Sequence, residues 1–327
     1  IPKNREEELK TALARALQGF ERGEIALGAR KRRGFGRCQV TEWNVVTYDL
    51  KTTDGLRAWL NRDDGEALRG GDITALLDVD LEGKDNRDRF TVKLTCSLEG
   101  SVLVRAASQS GADAGHLHTD DVSGESVPVL PGTSLAGVLR HRALRIANTL
   151  SPLGDGSPLV RAMFGSGPRE GEASGPTASR VWIREAEIAG GHPLVQSRVK
   201  IDRFTGGAYP TALFSEEPLF GGPDSRVNLH MTLQNPDEHE VGLLLLLLKD
   251  LWTGDLPVGG ENSVGRGRLR GLEATLHWKD SSLGLNEEWT LRGTEDGLSI
   301  AERARELLEH AVAALREHLK EATDETA

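Results

Sequence analysis

Sulfur chemistry is scarce in this chain: of its 327 residues only Cys38 and Cys96 are cysteines. Two thiols build neither a disulfide framework nor a four-thiolate zinc site, so both read as small buried apolar residues. Long apolar runs are missing too. The longest, Val241 to Leu248, falls far short of the roughly 20 residues that span a bilayer, and no basic, apolar, small-residue leader opens the sequence. No membrane partner is expected, and the expected location is the cytoplasm. An excess of positive charge is also absent. The net charge of -10 excludes a protein that coats nucleic acid with its whole surface, because phosphate affinity comes from clustered Lys and Arg.

What is present begins with one such cluster. Arg30, Lys31, Arg32, Arg33 and Arg37 lie in a single glycine-bracketed stretch, so a basic groove on an acidic body is expected. A composition of 38% apolar and 28% charged residues suits a soluble globular protein with a buried core. The length leaves room for about two domains.

The chain also repeats itself. Gly23-Glu24-Ile25-Ala26-Leu27-Gly28 and Gly34-Phe35-Gly36-Arg37 return, at a constant offset of 231, as Gly254-Asp255-Leu256-Pro257-Val258-Gly259 and Gly265-Arg266-Gly267-Arg268. Leu13, Leu17 and Phe20 fall opposite Leu244, Leu248 and Leu251 at helical spacing. Repeats mark duplicated structural units, and the first copy matches the end of a unit rather than its start. The chain is therefore expected to be a piece of a longer multi-repeat polypeptide, divided into 1–70 (end of a first repeat and linker), 71–280 (a complete repeat) and 281–327 (a helical extension).

Within the complete repeat, Phe90 to Leu98 alternates as a strand and Ser101 to Ala106 continues it. A loop from Ser108 to Ser126 precedes Pro131, where an amphipathic helix with a hydroxyl cap at Thr133 and Ser134 is expected. Strands follow over Arg180 to Ile188 and Arg226 to Gln234, with Ser197 to Asp202 as a shorter extended segment between them. A helix over Glu238 to Trp252 and a closing strand through Leu272, Ala274 and Leu276 complete the order βαββαβ. The expected class is α+β, a ferredoxin-like, RRM-like split βαβ. Beyond it, Ile300, Leu307, Leu308, Ala311, Leu315 and Leu319 mark a last helix.

Three places carry candidate chemistry. The helix start at Gly132, Thr133 and Ser134 offers free backbone N–H groups to a phosphate, with Arg140, Arg142 and Arg145 nearby; the alternative is an ordinary capped helix with solvated arginines. The glycine loops with Arg37, Arg266 and Arg268 follow a helix and lead into a strand, the reverse of a dinucleotide fingerprint. They suit close approach of a phosphate backbone or simply a tight turn. The segment from Ser110 to Asp121 gathers Asp113, His116, His118, Asp120 and Asp121. Carboxylates there suit a divalent ion or a ribose hydroxyl, and imidazoles suit proton transfer; the alternative is a solvated loop.

These residues carry a resemblance to the RAMP superfamily, specifically the repeated backbone subunits of type III CRISPR effectors. It rests on the Asp loop from Gly111 to Asp121; the run Val127-Pro128-Val129-Leu130-Pro131-Gly132-Thr133-Ser134-Leu135-Ala136-Gly137-Val138-Leu139-Arg140; the segment Arg198-Val199-Lys200-Ile201-Asp202-Arg203-Phe204-Thr205-Gly206-Gly207-Ala208; and the loop from Gly259 to Arg268. The resemblance implies a RAMP repeat with a thumb-like insertion, preceded by the C-terminal part of another repeat. It implies an antiviral ribonucleoprotein whose partners are a guide CRISPR RNA, a target RNA and other RAMP subunits. Gly132, Thr133, Ser134, Arg140, Arg142, the glycine-loop arginines and the early basic cluster hold the guide. Lys200, Arg203 and Phe204 belong to a thumb that wedges the guide–target duplex. In catalytic members an Asp of the loop supports metal-dependent cleavage of target RNA, here with Mg or Mn and without a zinc site. Asp113 is the first choice as catalytic residue and metal ligand, Asp120 the second, with Asp121 and His116 beside them. Two other readings stay open: a guide-binding scaffold without catalysis, and a ribonuclease that matures the guide precursor through His116 and His118. A third, an unrelated metabolic enzyme, fits the repeats less well.

Overall fold

The computed structural model describes residues 5–28, 36, 38–63, 67–81, 87–108, 110–121, 123–152, 154–167, 175–294 and 297–324. The chain forms two compact units, Ile1–Asn86 and Arg87–Ala327. The boundary therefore falls after Asn86, and the extension from 281 onward belongs to the second unit.

The first unit holds α1 (Glu6–Glu21), β1 (Trp43–Val45), α2 (Thr53–Asn61), β2 (Leu68–Gly70) and α3 (Ile73–Leu76). β1 and β2 pair antiparallel. One carboxylate ties these short pieces together, since Glu21 Oε1 accepts the indole N–H of Trp43 at 2.7 Å and the backbone N–H of Ile73 at 2.8 Å. Among the described residues β1 and β2 are its only strands. Leu13 stays 49% exposed, whereas its counterpart Leu244 is 0% exposed in the second unit.

The second unit comprises β3 (Arg89–Glu99), β4 (Ser101–Val102), β5 (Arg105–Ala106), β6 (Ala114–His116), β7 (His118–Asp120), β8 (Ser126–Leu130), α4 (Gly132–Leu150), α5 (Ser157–Phe164), β9 (Val181–Ile183), β10 (Ala186–Pro193), β11 (Gln196–Ile201), β12 (Ala208–Glu217), β13 (Leu219–Gln234), α6 (Glu238–Trp252), β14 (Arg268–Asp280), β15 (Leu285–Thr294), β16 (Gly297–Ser299) and α7 (Glu302–Asp324). The main sheet runs β16-β15-β14-β3-β13-β10-β8-β7. Its central strands, β14-β3-β13 and then β9 with β10, are all antiparallel. With α4 and α6 as the crossovers this is α+β, and the strand order is compatible with the ferredoxin-like split βαβ.

The alternation of β3 explains the layering. Phe90, Val92, Leu94, Cys96 and Leu98 are buried on one face, joining Leu135, Leu139, Ala143 and Ala147 of α4 and Leu244, Leu247 and Leu251 of α6 in one core. Most of α6 is buried, because α7 packs against it as well. A side chain at Gly242 would meet the Ala311 carbonyl oxygen at 2.1 Å, so that glycine sets how closely the two helices approach.

Four local expectations change. The strand over Arg180 to Ile188 is broken into β9 and β10, and the strand ending at Gln234 begins earlier, at Leu219. The polar Asp and His loop contains β6 and β7, short strands that its composition hides. α4 is capped by Pro131 with no side-chain cap bond, so the Thr133 and Ser134 hydroxyls sit inside its first turn instead of closing it.

The repeat persists in backbone geometry. Four hydrogen bonds recur at the offset of 231: Arg22 N–H to Gln18 O and Thr253 N–H to Lys249 O; Gly23 to Phe20 and Gly254 to Leu251; Ile25 to Gly19 and Leu256 to Asp250; Leu27 to Gly36 and Val258 to Gly267. Gly36 and Gly267 have φ of 78° and 83°. A Cβ on either would sit 1.8 or 1.9 Å from the carbonyl oxygen of Leu27 or Val258. Gly265 has φ of 86° but open space around it. Gly267→Ala is therefore expected to cost at least about 2 kcal/mol, through left-handed strain and a backbone clash, against about 1 kcal/mol for Gly265→Ala; urea unfolding of the two variants compares them.

Candidate functional site

β11 and β12 form a long hairpin whose tip closes over Asp202 to Gly207. Asp202 Oδ1 accepts the Phe204 N–H at 2.8 Å, and the Gly206 N–H donates to Asp202 O at 2.9 Å. This hairpin is the segment expected as the thumb-like insertion, and it is called the thumb below. Phe204 at its tip is 100% exposed, Arg203 is exposed, and the Lys200 ammonium lies 4.9 Å from the centre of the Tyr209 ring. β12 also pairs in parallel with β6, Glu216 opposite Ala114 and Glu217 opposite Gly115, so the root of the thumb and the Asp loop share one small sheet.

Asp113 is fixed to that root. Its Oδ2 accepts the Ser215 N–H at 2.7 Å and the Ser215 hydroxyl at 3.1 Å, and its own N–H donates to Ser215 Oγ at 3.2 Å. It is exposed. Asp120 ends β7 opposite Ser126, also exposed. Asp121 builds the turn into β8: its Oδ1 accepts the Ser123 hydroxyl and the N–H groups of Ser123 and Glu125 at 2.6 to 2.9 Å. Those donors, the Ser123 hydroxyl first, hold its carboxyl below the usual range.

His116 is buried with both ring nitrogens engaged. The Val104 N–H donates to Nδ1 at 3.2 Å, which leaves the proton on Nε2 to be donated to Val129 O at 3.1 Å. Burial pushes its pKa down to about 4, so the ring is neutral near pH 7 and has no nitrogen for a metal or a substrate proton. Its place is that of a bridge. Val129 lies two residues before Pro131 and the α4 mouth, while Leu103, next to Val104, accepts the Gly260 N–H of the glycine loop at 2.7 Å. The helix mouth and the glycine loop are thereby held together across one imidazole. His118 donates Nδ1–H to His116 O at 2.8 Å.

Between thumb and glycine loop lies a feature that pattern reading missed. Arg105 Nη2 reaches Glu216 Oε1 at 2.7 Å and Glu261 Oε1 at 2.8 Å; Arg198 Nη1 reaches Glu216 Oε2 at 3.0 Å and Glu261 Oε2 at 2.6 Å. Arg266 lies 3.5 Å from Glu216 and 3.4 Å from Glu261, and donates to Gln196 Oε1 at 2.9 Å. Burial by itself would raise the Glu261 pKa, but hydrogen bonding with Glu216 and the surrounding guanidiniums outweigh it and hold the group below its ordinary value. The network staples β5, β11 and β12 to the glycine loop. A groove of about 670 Å³ opens beside it, bordered by Ser101, Ser197, Arg198, Phe220 and Gly265.

The sequence candidates therefore divide. Gly132 is buried at the mouth of α4, and Thr133, Arg140 and Arg268 are exposed, available to a ligand. Arg266 is a correction: at 5% exposure inside the network it holds the loop, not a phosphate. Arg142 is half-buried, and its Nε binds Asp250 Oδ2 at 2.7 Å, joining α4 to α6. Arg30, Lys31, Arg32, Arg33 and Arg37 lie outside the described residues. Among the described residues the one group of three metal-type donors within 4.8 Å is Asp237, His239 and Glu240, where Glu240 is already engaged by Arg180 and by the Asp237 N–H. Asp113 brings a single carboxylate, which suits a magnesium-type ion only if RNA phosphate oxygens and water supply the rest.

No helix of the described residues is long and apolar enough to cross a membrane. No curated protein matches the chain. A model of the RAMP superfamily matches residues 95–270, from the middle of β3 through the Asp loop, thumb and glycine loop to the start of β14. That span is more than half of the 327 residues, and the chain therefore belongs to the RAMP superfamily, with the CRISPR-associated RNA-binding role general to it.

Proposed function

We propose that this chain is a guide-RNA-binding backbone segment of a type III CRISPR effector, with metal-dependent cleavage of target RNA beside the Asp113 loop. The observation that carries the reading is the Arg105–Glu216–Arg198–Glu261–Arg266 network, which fixes the thumb, the Asp loop strand and the glycine loop to one another. A thumb that parts a duplex at one nucleotide must be held rigidly relative to the loop that grips the guide. At the α4 mouth the exposed Thr133 offers its backbone N–H to a guide phosphate, with Arg140 and Arg268 adding charge. A divalent ion at Asp113 would stabilise charge developing on the cleaved phosphate. Asp113 holds its place through Ser215, and the thumb displaces the target nucleotide toward it.

A specific observation favours scaffold over catalysis as the second reading: half of the Asp113 carboxylate is spent on Ser215. The precursor-processing reading keeps only His118, because His116 is sealed. Guide-loaded protein with complementary RNA and Mg separates these. Asp113→Asn is expected to lower the cleavage rate roughly 100-fold or more with guide retention unchanged, and Asp120→Asn to lower it less. Normal cutting by both variants would remove catalysis from this loop, and cutting that persists in chelator would favour the processing enzyme.

A further inference from the structure

The helices of the second unit cover one face of its main sheet; the opposite face presents a row that the thumb and glycine loop do not use. Trp182 pairs with Thr232, Thr232 with Thr91, and Thr91 with His277. The neighbours of these residues along their strands, Val181, Phe90 and Trp278, are buried in the core, so the row points outward. Trp182 is 54% exposed although a large apolar ring is ordinarily covered. In the adjacent row Lys93 stands exposed between His230 and Thr275. Arg89, Lys93 and Lys279 are the charged outward residues of the central strands over Arg89 to Ser97, Asn228 to Gln234 and Thr275 to Lys279, while the carboxylates of this face, Glu273 and Glu288, lie opposite Thr95 and His277 toward β15, Glu273 in an ion pair with Arg292. Around Thr91, Lys93 and Thr232 the charge of this open sheet face is thus basic in a protein that is acidic overall.

We propose that this face is a second RNA surface, on which a single-stranded RNA segment stacks a base on Trp182 and sets a phosphate on Lys93. Stacking on an aromatic ring needs no particular base, and a flat antiparallel sheet lets neighbouring nucleotides lie along it. The basic side chains of Arg89, Lys93 and Lys279 beside an exposed ring complement phosphate and base together. The proposal rests on the RNA-binding role of the family, but not on the thumb holding the guide.

The test is a set of binding titrations with the full chain, using a fluorescent unstructured 10-mer RNA and, separately, the guide RNA. Trp182→Ala is expected to weaken 10-mer binding roughly 5- to 100-fold, the effect of losing one stacked base, with Trp182→Phe retaining most of it and Lys93→Glu losing affinity and salt dependence together. A thumb variant, Arg203→Glu with Phe204→Ala, is expected to weaken guide binding and leave the 10-mer unaffected. Unchanged 10-mer binding by Trp182→Ala and Lys93→Glu overturns the sheet surface while leaving the guide reading intact; a thumb variant with full guide affinity does the reverse. If Trp182→Ala instead alters the sedimentation of RNA-free protein, the face binds protein and the proposal fails. Trp182 and Lys93 are exposed, so an unchanged melting temperature for each variant is the folding control.

Discussion

Replacing Glu216 with Leu is expected to cost about 3–5 kcal/mol of stability, the usual consequence of removing one partner from a buried ion network. The Glu216 side chain is 1% exposed and meets three guanidiniums. Arg105 keeps access to water, so it can relax. Arg266 cannot, because it is buried with only Glu261 and Gln196 left to it. The damage is expected to concentrate at the thumb: amides of β11 and β12 should exchange faster in Glu216→Leu while those of β3 keep their protection. A double variant, Glu216→Leu with Arg266→Met, should recover a large part of the loss, because the stranded charge is then gone. If the single variant unfolds at the same urea concentration as the parent, the network does not hold the thumb.

What the sequence revealed followed from how far each signal travels along the chain. α6, α4 and β3 announce themselves by period alone, since their apolar positions all turn toward one core. The glycine loop was legible twice, because Gly36 and Gly267 answer the same steric demand 231 residues apart. The ion network was not legible. Arg105, Arg198, Glu216 and Glu261 are separated by up to 156 residues, and an arginine that pairs with a distant carboxylate looks, in sequence, like one that waits for a phosphate. Arg266 was misread for that reason. A clue did exist in the thumb segment, where Glu216 and Glu217 end a strand that otherwise carries apolar and hydroxyl residues. Short strands β6 and β7 escaped because Ser, Asp and His mask the alternation of so few residues, and with them went the structural use of His116.

That histidine gives the second large effect, one that depends on pH. Its folded pKa of about 4 lies below the ordinary 6.5, so the unfolded chain binds the proton more tightly. The stability it contributes is fully present above about pH 6.5 and is lost as pH falls through the window from 6.5 to 4, at up to about 1.4 kcal/mol per pH unit and about 3 kcal/mol in all. Protonation would also put a donor where Nδ1 accepts the Val104 N–H, breaking the bridge between the α4 mouth and the glycine loop. His239 adds to the acid loss in the same direction, because burial first and then the charge of His318, stacked on it at 3.8 Å, lower its pKa. His116→Gln separates the two: the amide offers one acceptor and one donor but does not titrate. At pH 7 the variant is expected to be about 1–2 kcal/mol less stable, from imperfect reach of the two hydrogen bonds. Between pH 6.5 and 4 its stability should fall less steeply than the parent's, so that the two curves converge or cross. Parallel curves from urea unfolding across that window would show that His116 does not carry the acid sensitivity. Guide-RNA affinity followed over the same range should drop in the parent ahead of global unfolding, because the helix mouth and the glycine loop come apart where the imidazole joins them.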